Sequence, residues 1–289
     1  MSELVAAGPG FFGKVRTHGD FVTRRLPPAF VTPWDESLQR GMLFGQQWFG
    51  AQWLPVYLNA PVWCFALGAG VCGESAWAGV LMPGVDRVGR YFPFTLAAPL
   101  ARDAAAGWLG GAQVWYDEAV RRALSTLSAD FVLERFDAEL AAWGPLQGVS
   151  AATGAAAAWR LCPVESAVPA VSTASMQSAG SAGPTESAAP ATPVAPAESA
   201  ASAAPAEAAA PAAQREASNE AQAGALAHDS FAALLSLYAG AGSGAWWTEG
   251  SSAVPATLLG GPGLPDGERF VGLLDAARNG WPSVVKLRI

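Results

Sequence analysis

Residues 61–100 read PVWCFALGAGVCGESAWAGVLMPGVDRVGRYFPFTLAAPL and contain three apolar runs. The runs are Val62–Leu67, Ala76–Met82 and Tyr91–Ala98, and each has the length of a buried β-strand. The last two are separated by Pro83–Arg90, whose proline, glycines and aspartate are typical of a turn. The sequence therefore predicts three strands here, of which the last two form a hairpin with a long loop.

Segments with helical spacing precede and follow these strands. Thr32 is predicted as the N-cap of a helix, with Pro33 as its first residue and two acidic residues in its first turn. Trp34, Leu38 and Met42 continue at helical spacing and predict the buried face. The further predicted elements are, in chain order, helices Val114–Leu127, Phe131–Trp143 and Asp229–Tyr238, strand Ala245–Thr248, a loop at Gly260–Pro265, helix Glu268–Arg278 and strand Ser283–Leu287. Strands clustered in hairpins, with helices before and after them, predict a layered α+β fold with an antiparallel sheet.

The composition changes abruptly over residues 163–226, which are mainly Ala, Pro, Ser and Glu. No aromatic residue occurs between Trp159 and Phe231, and prolines recur throughout. Such a segment buries too little apolar surface to offset the entropy lost on ordering, so we expect a disordered linker. A partial helix over residues 206–225 is the alternative, because alanine favours helix.

The tryptophans indicate how the chain is divided. All 12 lie outside the linker, nine before it and three after it. The segment 227–289 is aromatic-rich, but its size is marginal for an independent domain. We therefore predict one main α/β domain in residues 1–162, to which residues 227–289 return after the linker 163–226.

Charge and composition exclude several classes of function. A formal net charge of −7 argues against nucleic acid or an anionic membrane as the main partner. The apolar stretch 60–71 is shorter than the roughly 20 residues of a spanning helix, and no signal-peptide pattern precedes it. We expect a cytoplasmic protein without membrane insertion.

The sequence also lacks the common motifs of catalysis and cofactor binding. Three cysteines without a CxxC and two histidines argue against a zinc cluster. No P-loop, zincin or serine-hydrolase motif is present. We expect neither an enzymatic activity nor a cofactor.

The densest polar cluster is a candidate partner-binding segment. Lys14, Arg16, His18 and Asp20 alternate, so they would line one face of an extended segment. That face suits an anion, a phosphopeptide or an acidic protein surface. A solvated strand face with ordinary salt bridges is the alternative.

The predicted hairpin loop holds the second candidate cluster. Asp86, Arg87, Arg90 and Tyr91 give it the composition of a protein interface, where Arg and Tyr are enriched. In the alternative, Asp86 accepts backbone hydrogen bonds and Arg87 pairs with a carboxylate inside the loop.

A third candidate lies near the end of the chain, where Trp246, Trp247 and Glu249 occur in the stretch AWWTEGS. Adjacent indoles on a strand point to opposite sides, so at least one is expected in the core and the other at a surface. Core packing is the alternative, because it is the more frequent environment of tryptophan in so apolar a chain. Trp247 and Glu249 are therefore added to the candidate partner-binding residues.

Three stretches together resemble the TagF (ImpM) family of type VI secretion-associated proteins from Gram-negative bacteria. They are GFFGKVRTHGDFVTRRLPPAFVTPWDESLQ at 10–39, the stretch 61–100 quoted above, and AWWTEGS at 245–251 with a later GLP. The chain departs from the family pattern in its long linker and at Thr17 and His18, where a small residue and an arginine are usual.

The resemblance implies a longin- or profilin-like α/β fold and a cytoplasmic, non-enzymatic protein. It further implies a repressor of type VI secretion that acts after translation by binding a scaffold protein with a forkhead-associated domain. The Lys14–Asp20 segment and the Asp86–Tyr91 loop are the expected binding face. A structural adaptor of the secretion machine is the alternative, and a small hydrolase using His18, Asp20 and Asp86 is a further one.

Overall fold

Within the residues that the structure describes, nine strands form a single sheet in which every strand pair is antiparallel. A computed structural model describes residues 8–100, 108–144, 146, 159–163, 231–275 and 280–289. The strands are β1 (Gly10–Gly13), β2 (Val22–Arg24), β3 (Trp63–Leu67), β4 (Ala76–Met82), β5 (Phe94–Leu100), β6 (Cys162–Pro163), β7 (Ser243–Thr248), β8 (Thr257–Pro262) and β9 (Ser283–Arg288). Their order across the sheet is β2-β1-β5-β4-β3-β7-β8-β9-β6.

Helices cover both faces of this sheet. The helices are α1 (Pro28–Phe49), α2 (Trp53–Leu58), α3 (Gln113–Ser125), α4 (Leu133–Trp143) and α5 (Glu268–Leu274), and residues 231–238 are also helical. One core contains side chains of α3, α4 and the helical residues 231–238, and the other contains side chains of α1, α2 and α5. The predicted α+β class with an antiparallel sheet is confirmed, and its layers are helices, sheet and helices.

Because both faces of the sheet are covered, the adjacent indoles of Trp246 and Trp247 on β7 are both buried. Trp246 lies in the core beside α1, and Trp247 lies in the core beside α3. Both side chains are at most 2% exposed. The expectation that one of them reaches a surface is wrong, because helices lie on both faces of the strand.

The central hairpin has the predicted arrangement. In the register, Trp63 of β3 faces Leu81 of β4, and Leu81 faces Thr95 of β5. β5 begins at Phe94, three residues later than predicted, because Tyr91 still belongs to the loop and forms an isolated bridge with Val85.

Helix α1 begins five residues earlier than predicted, at Pro28. The amide groups of Phe30 and Val31 donate to the Pro27 carbonyl at 2.9 and 3.0 Å. Pro33 therefore lies inside the helix, although a proline there removes one backbone hydrogen bond. The earlier start buries Phe30, whose ring centre lies 4.5 Å from that of Trp77.

Strand β8 occupies part of the stretch predicted as a loop. Gly260 and Gly261 lie within it, paired with Ala245 and Gly244 of β7. A Cβ atom on Gly260 would lie 2.5 Å from Cγ of Tyr238. The glycine is needed because it lets the Tyr238 ring pack directly on the strand, and here it does not mark a turn.

Segments from the two ends of the chain share the sheet. β7 lies between β3, which precedes the predicted linker, and β8. The predicted linker lies outside the described residues except for Pro163, the last residue of β6, and the alternative helix at 206–225 lies outside them entirely. None of the helices in the described ranges is long and apolar enough to cross a bilayer.

Candidate functional site

The carboxylate of Asp86 organises the loop between β4 and β5. Its Oδ2 accepts hydrogen bonds from Lys14 Nζ at 2.8 Å and from Arg90 Nε at 2.7 Å. Its Oδ1 accepts from the backbone amides of Val88 and Arg90 at 2.9 and 2.8 Å. A buried carboxylate with four donors is a fully satisfied polar centre, so the loop is held in one conformation.

These contacts also set the protonation state of Asp86. Burial raises the pKa of the carboxyl group, but the hydrogen bonds from Lys14, Arg90 and the Val88 amide outweigh burial and hold it well below its usual range. Asp86 is therefore ionised at neutral pH. A permanently charged, fully bonded carboxylate is suited to positioning a loop and unsuited to proton transfer.

The turn between β1 and β2 is attached to the same loop. The Arg87 amide donates to the His18 carbonyl at 3.0 Å, and the Arg90 guanidinium donates to the Gly19 carbonyl. Lys14 Nζ lies 4.6 Å from the ring centre of Phe21. The two segments that the sequence singled out are thus in direct contact.

The predicted extended face of Lys14, Arg16, His18 and Asp20 is wrong. Lys14 is buried, whereas Arg16 and Asp20 are exposed, because the chain turns at residues 16–17. His18 is half-buried, and its Nδ1 lies 2.9 Å from Thr17 Oγ1. Lys14 therefore holds the segment in place from inside the protein, whereas Arg16 and Asp20 lie on its surface.

The external surface combines apolar and basic side chains. We call it the turn–loop surface and define it as the exposed side chains of Arg16, Asp20, Phe21, Arg87 and Val88. Phe21 is 46% exposed and Val88 is 65% exposed.

Aromatic packing supports the turn–loop surface from below. Phe21 stacks on Phe12 and contacts Phe92, with ring centres 5.5 and 4.8 Å away. Tyr91 is half-buried beside Tyr57, so it belongs to this support and not to the exposed face.

Arg87 and Arg90 have different roles in the loop. Arg90 bonds Asp86 and the Gly19 carbonyl, so it braces the loop internally. The Arg87 side chain is exposed, and only its backbone amide is used in the brace described above. The internal pairing considered for Arg87 is made by Arg90 instead, because Arg90 follows the turn and its guanidinium points back to Asp86.

Trp247 and Glu249 lie at a separate place, beside a cavity of about 590 Å³. The cavity lies between α3, the start of β3 and the end of β7. Its inner wall includes Cys64, Tyr116, Leu161 and Trp247, all of which are buried.

Charged side chains form the outer rim of this cavity. Arg160 donates to both carboxylate oxygens of Asp117 at 2.9 and 2.7 Å and to Glu249 Oε1 at 2.9 Å. These hydrogen bonds, first those to Asp117 and then that to Glu249, raise the pKa of Arg160. Gln113 completes the rim: its Nε2 donates to Asp117, and its Oε1 accepts from the Arg160 amide.

Sequence reasoning found Glu249 but missed the other members of this rim. Gln113 and Asp117 are spaced four residues apart on α3, so they share one helix face. That spacing is the one local signal of the site. Arg160 is remote from them in sequence and follows no motif.

The buried thiols of Cys64 and Cys72 and the buried phenol of Tyr116 are not activated as nucleophiles. Burial, together with the charges of Glu249 and Asp117, raises the pKa of Cys64. Burial raises the pKa of Cys72 to about 12 and also raises that of Tyr116. A thiol that stays protonated is a poor nucleophile.

The hydrolase considered from the sequence finds no support in this geometry. Asp86 is bound by Lys14 and Arg90, and the exposed Asp20 lies 4.0 Å from Arg90. His18 contacts the Thr17 hydroxyl. Within the described ranges, no group of His, Cys, Asp and Glu is arranged to hold a metal ion.

Comparison with known families assigns the class of the protein. Residues 10–143 match the model of the TagF N-terminal domain, described as type VI secretion system-associated. This range contains the whole turn–loop surface together with Lys14 and Asp86.

A solved structure extends the similarity to nearly the full chain. The crystal structure of PA0076 from Pseudomonas aeruginosa PAO1, at 2.05 Å resolution, is 30% identical, with a TM-score of 0.59. The alignment covers 93% of this chain and 94% of PA0076. No curated protein sequence matches the chain at a significant level. The chain belongs to the TagF family of type VI secretion-associated proteins.

Proposed function

We propose that this protein is a cytoplasmic, non-enzymatic repressor of type VI secretion that acts after translation. It holds a scaffold protein with a forkhead-associated domain in an inactive complex, and the turn–loop surface makes the contact. Membership of the TagF family supports the link to type VI secretion. The scaffold and the direction of regulation follow from the family resemblance.

The observation that carries the proposed interface is an exposed phenylalanine on a rigid base. Phe21 and Val88 present apolar area, and the exposed Arg16 and Arg87 of the same two segments add positive charge. The buried Asp86 centre fixes the loop before binding, so little conformational entropy is lost on association. Aromatic and arginine side chains on a rigid base are typical of binding hot spots.

The charges of the turn–loop surface favour an acidic partner. Arg16 and Arg87 outnumber the single exposed carboxylate of Asp20. Arginine binds carboxylates and phosphates through paired N–H donors, so an acidic or phosphorylated scaffold surface is complementary. Electrostatic complementarity of this kind mainly raises the association rate and the specificity.

The experiment is a binding titration of the scaffold with a double variant, Phe21→Ala with Arg87→Glu. Removing the apolar anchor and reversing one charge should weaken binding by at least about tenfold. The matched control is Val114→Ala with Arg135→Glu, which changes an exposed apolar residue of α3 and an exposed arginine of α4. Equal scaffold affinity for the two double variants would remove the turn–loop surface from the interface.

Deleting the gene for this protein distinguishes the repressor hypothesis from the adaptor hypothesis. Loss of a repressor raises the amount of secreted protein, whereas loss of a structural adaptor abolishes secretion. Reintroducing the Phe21→Ala, Arg87→Glu variant should leave secretion raised, because the folded variant no longer holds the scaffold. Abolished secretion in the deletion strain would favour the adaptor.

We also propose that residues 1–162 and 227–289 fold as one domain around the insertion 163–226. The position of β7 between β3 and β8 supports this division.

A further inference from the structure

We propose that the cavity between α3, β3 and β7 is a binding site for a small neutral molecule. The ligand has a flat apolar body and a polar end group that carries both a hydrogen-bond donor and an acceptor. The proposal does not depend on the scaffold or on the turn–loop surface.

The size and the inner wall of the cavity suit such a body. A volume of about 590 Å³ lies within the usual range of roughly 300–1,000 Å³ for small-molecule sites. The rings of Tyr116 and Trp247 meet edge to face, 4.6 Å apart, and apolar side chains of Val62, Val120 and Leu161 complete the wall. Packed aromatic walls are preformed, so they accept a flat ring system without rearrangement.

The inner end of the cavity disfavours a negative group. Cys64 lies there, and the carboxylates of Glu249 and Asp117 act on its thiol strongly enough to contribute to its raised pKa. The other side chains at this end, those of Val62, Tyr116, Leu161 and Trp247, carry no positive charge that would stabilise an anion. An uncharged apolar body enters this end most readily.

The rim disfavours a net charge of either sign on the polar end of the ligand. Asp117 and Glu249 are balanced there by Arg121 and Arg160. Arg160 already bridges the two carboxylates, and Arg121 donates to both carboxylate oxygens of Glu118. A charged end group on the ligand would compete with one partner of these ion pairs. A neutral group with a donor and an acceptor can use the remaining hydrogen-bonding capacity of guanidinium and carboxylate groups without doing so.

The walls come from three separate parts of the chain. Cys64 and Tyr116 precede the predicted linker, Arg160 lies directly before β6, and Trp247 lies on β7. A ligand that contacts all three parts binds the folded protein and not the unfolded chain, so it raises the melting temperature.

The test uses the full chain and two related dyes. N-phenyl-1-naphthylamine is neutral, and 8-anilino-1-naphthalenesulfonate is the same ring system with a sulfonate. We expect the neutral dye to fluoresce on binding and to raise the melting temperature, and the anionic dye to bind at least about tenfold more weakly. Equal or tighter binding of the sulfonate would overturn the assignment of a neutral ligand.

Two variants of α3 locate the dye. Val120→Trp fills the cavity and should weaken binding of the neutral dye by at least about tenfold. Val114→Trp adds the same ring to a position of α3 that is 61% exposed, and it should leave the affinity unchanged within about twofold. Unchanged affinity in Val120→Trp would place the dye elsewhere and overturn the proposal.

A measurement on the unmodified chain covers the case in which Val120→Trp does not fold. The indole N–H signals of the tryptophans are followed by two-dimensional NMR with and without the neutral dye. Bound dye should shift the signal of Trp247, which lines the cavity, and leave unchanged that of Trp34, which lies in the core on the opposite face of the sheet. An unshifted Trp247 signal at saturating dye would overturn the proposal.

Discussion

Lys14 Nζ lies 2.8 Å from Asp86 Oδ2 inside the protein, although 72 residues separate the two in sequence. The pair joins the end of β1 to the loop between β4 and β5. A buried ion pair is weak evidence for stability, because removing both charges from water offsets much of their attraction. The ion pair instead serves to hold the turn and the loop in place, and Phe21 and Val88 are exposed on these two segments.

Asp86→Asn should lower the melting temperature at neutral pH, because it leaves Lys14 buried without a counter-ion. The pKa of Asp86 is lower in the folded state than the usual value of about 3.9. At pH values well above about 3.9, the ionised carboxylate therefore makes its full contribution to the stability of the folded state. The contribution is lost as pH falls below about 4. The difference in melting temperature between Asp86→Asn and the unmodified chain should therefore be constant near neutral pH and narrow in acid. Asp20→Asn, at a fully exposed side chain, is the control, and its melting temperature at neutral pH should stay close to that of the unmodified chain.

Arg87→Ala should weaken scaffold binding without lowering stability, whereas Arg90→Ala should also lower stability. Arg87→Ala removes an exposed side chain, so the free energy of unfolding should change by no more than about 0.5 kcal/mol, while scaffold affinity falls about five- to thirtyfold. Arg90→Ala removes a brace of Asp86 and should also lower the melting temperature. Calorimetric melting and scaffold titration of both variants check this. A loss of stability in Arg87→Ala equal to that in Arg90→Ala would contradict the division of roles.

Gly260→Ala should destabilise the protein by about 1–3 kcal/mol, because the new methyl group overlaps the Tyr238 ring. Gly240→Ala is the matched control, since the nearest atom to a Cβ there lies 3.7 Å away. Denaturant unfolding of both variants measures the difference. A stability cost at Gly260 no larger than that at Gly240 would show that the close packing is readily relaxed.

Deletion of residues 185–211 should change the free energy of unfolding by less than about 1 kcal/mol, because the entropy of closing a loop depends only logarithmically on its length. Chemical denaturation of the deletion variant and the full chain gives the comparison. A loss of several kcal/mol would mean that this segment packs against the domain.

Fragments 1–162 and 227–289 should each fail to unfold cooperatively alone and should do so when mixed. Neither fragment completes the sheet, because β7 separates β3 from β8. Circular dichroism melting of each fragment and of the mixture is the measurement. Cooperative melting of 1–162 alone, at the temperature of the full chain, would establish two domains.

The sequence pattern was sufficient to predict β3 and β4, which are continuously apolar because both faces are buried, and β9, in which buried residues alternate with exposed ones. β8 was missed because its sequence, TLLGGP, carries two glycines that local rules assign to a turn. Only the tertiary contact with Tyr238 shows why they are there.

The candidate sites, like the strands, were predictable only where a local sequence pattern marks them. The residue types of the Lys14 and Asp86 segments indicated polar function, but their contact arises from the pairing of β1 with β5. The rim of the cavity combines charges from three distant segments, and no local pattern marks Arg160. Sequence reasoning finds residues of unusual composition more readily than ordinary residues brought together by the fold.

The place of β7 in the middle of the sheet has a consequence for biosynthesis. The ribosome completes β3 long before it reaches Ser243, and at about 5–20 residues per second the delay is on the order of 10–35 s. Throughout that delay the edge of β3 that later pairs with β7 has no partner from its own sheet. An open apolar edge attracts any other strand-forming segment nearby. Residues 163–226, the long stretch made shortly before β7, are mainly Ala, Pro, Ser and Glu, which are poor strand formers, so this part of the nascent chain offers that edge few competitors before the correct strand emerges.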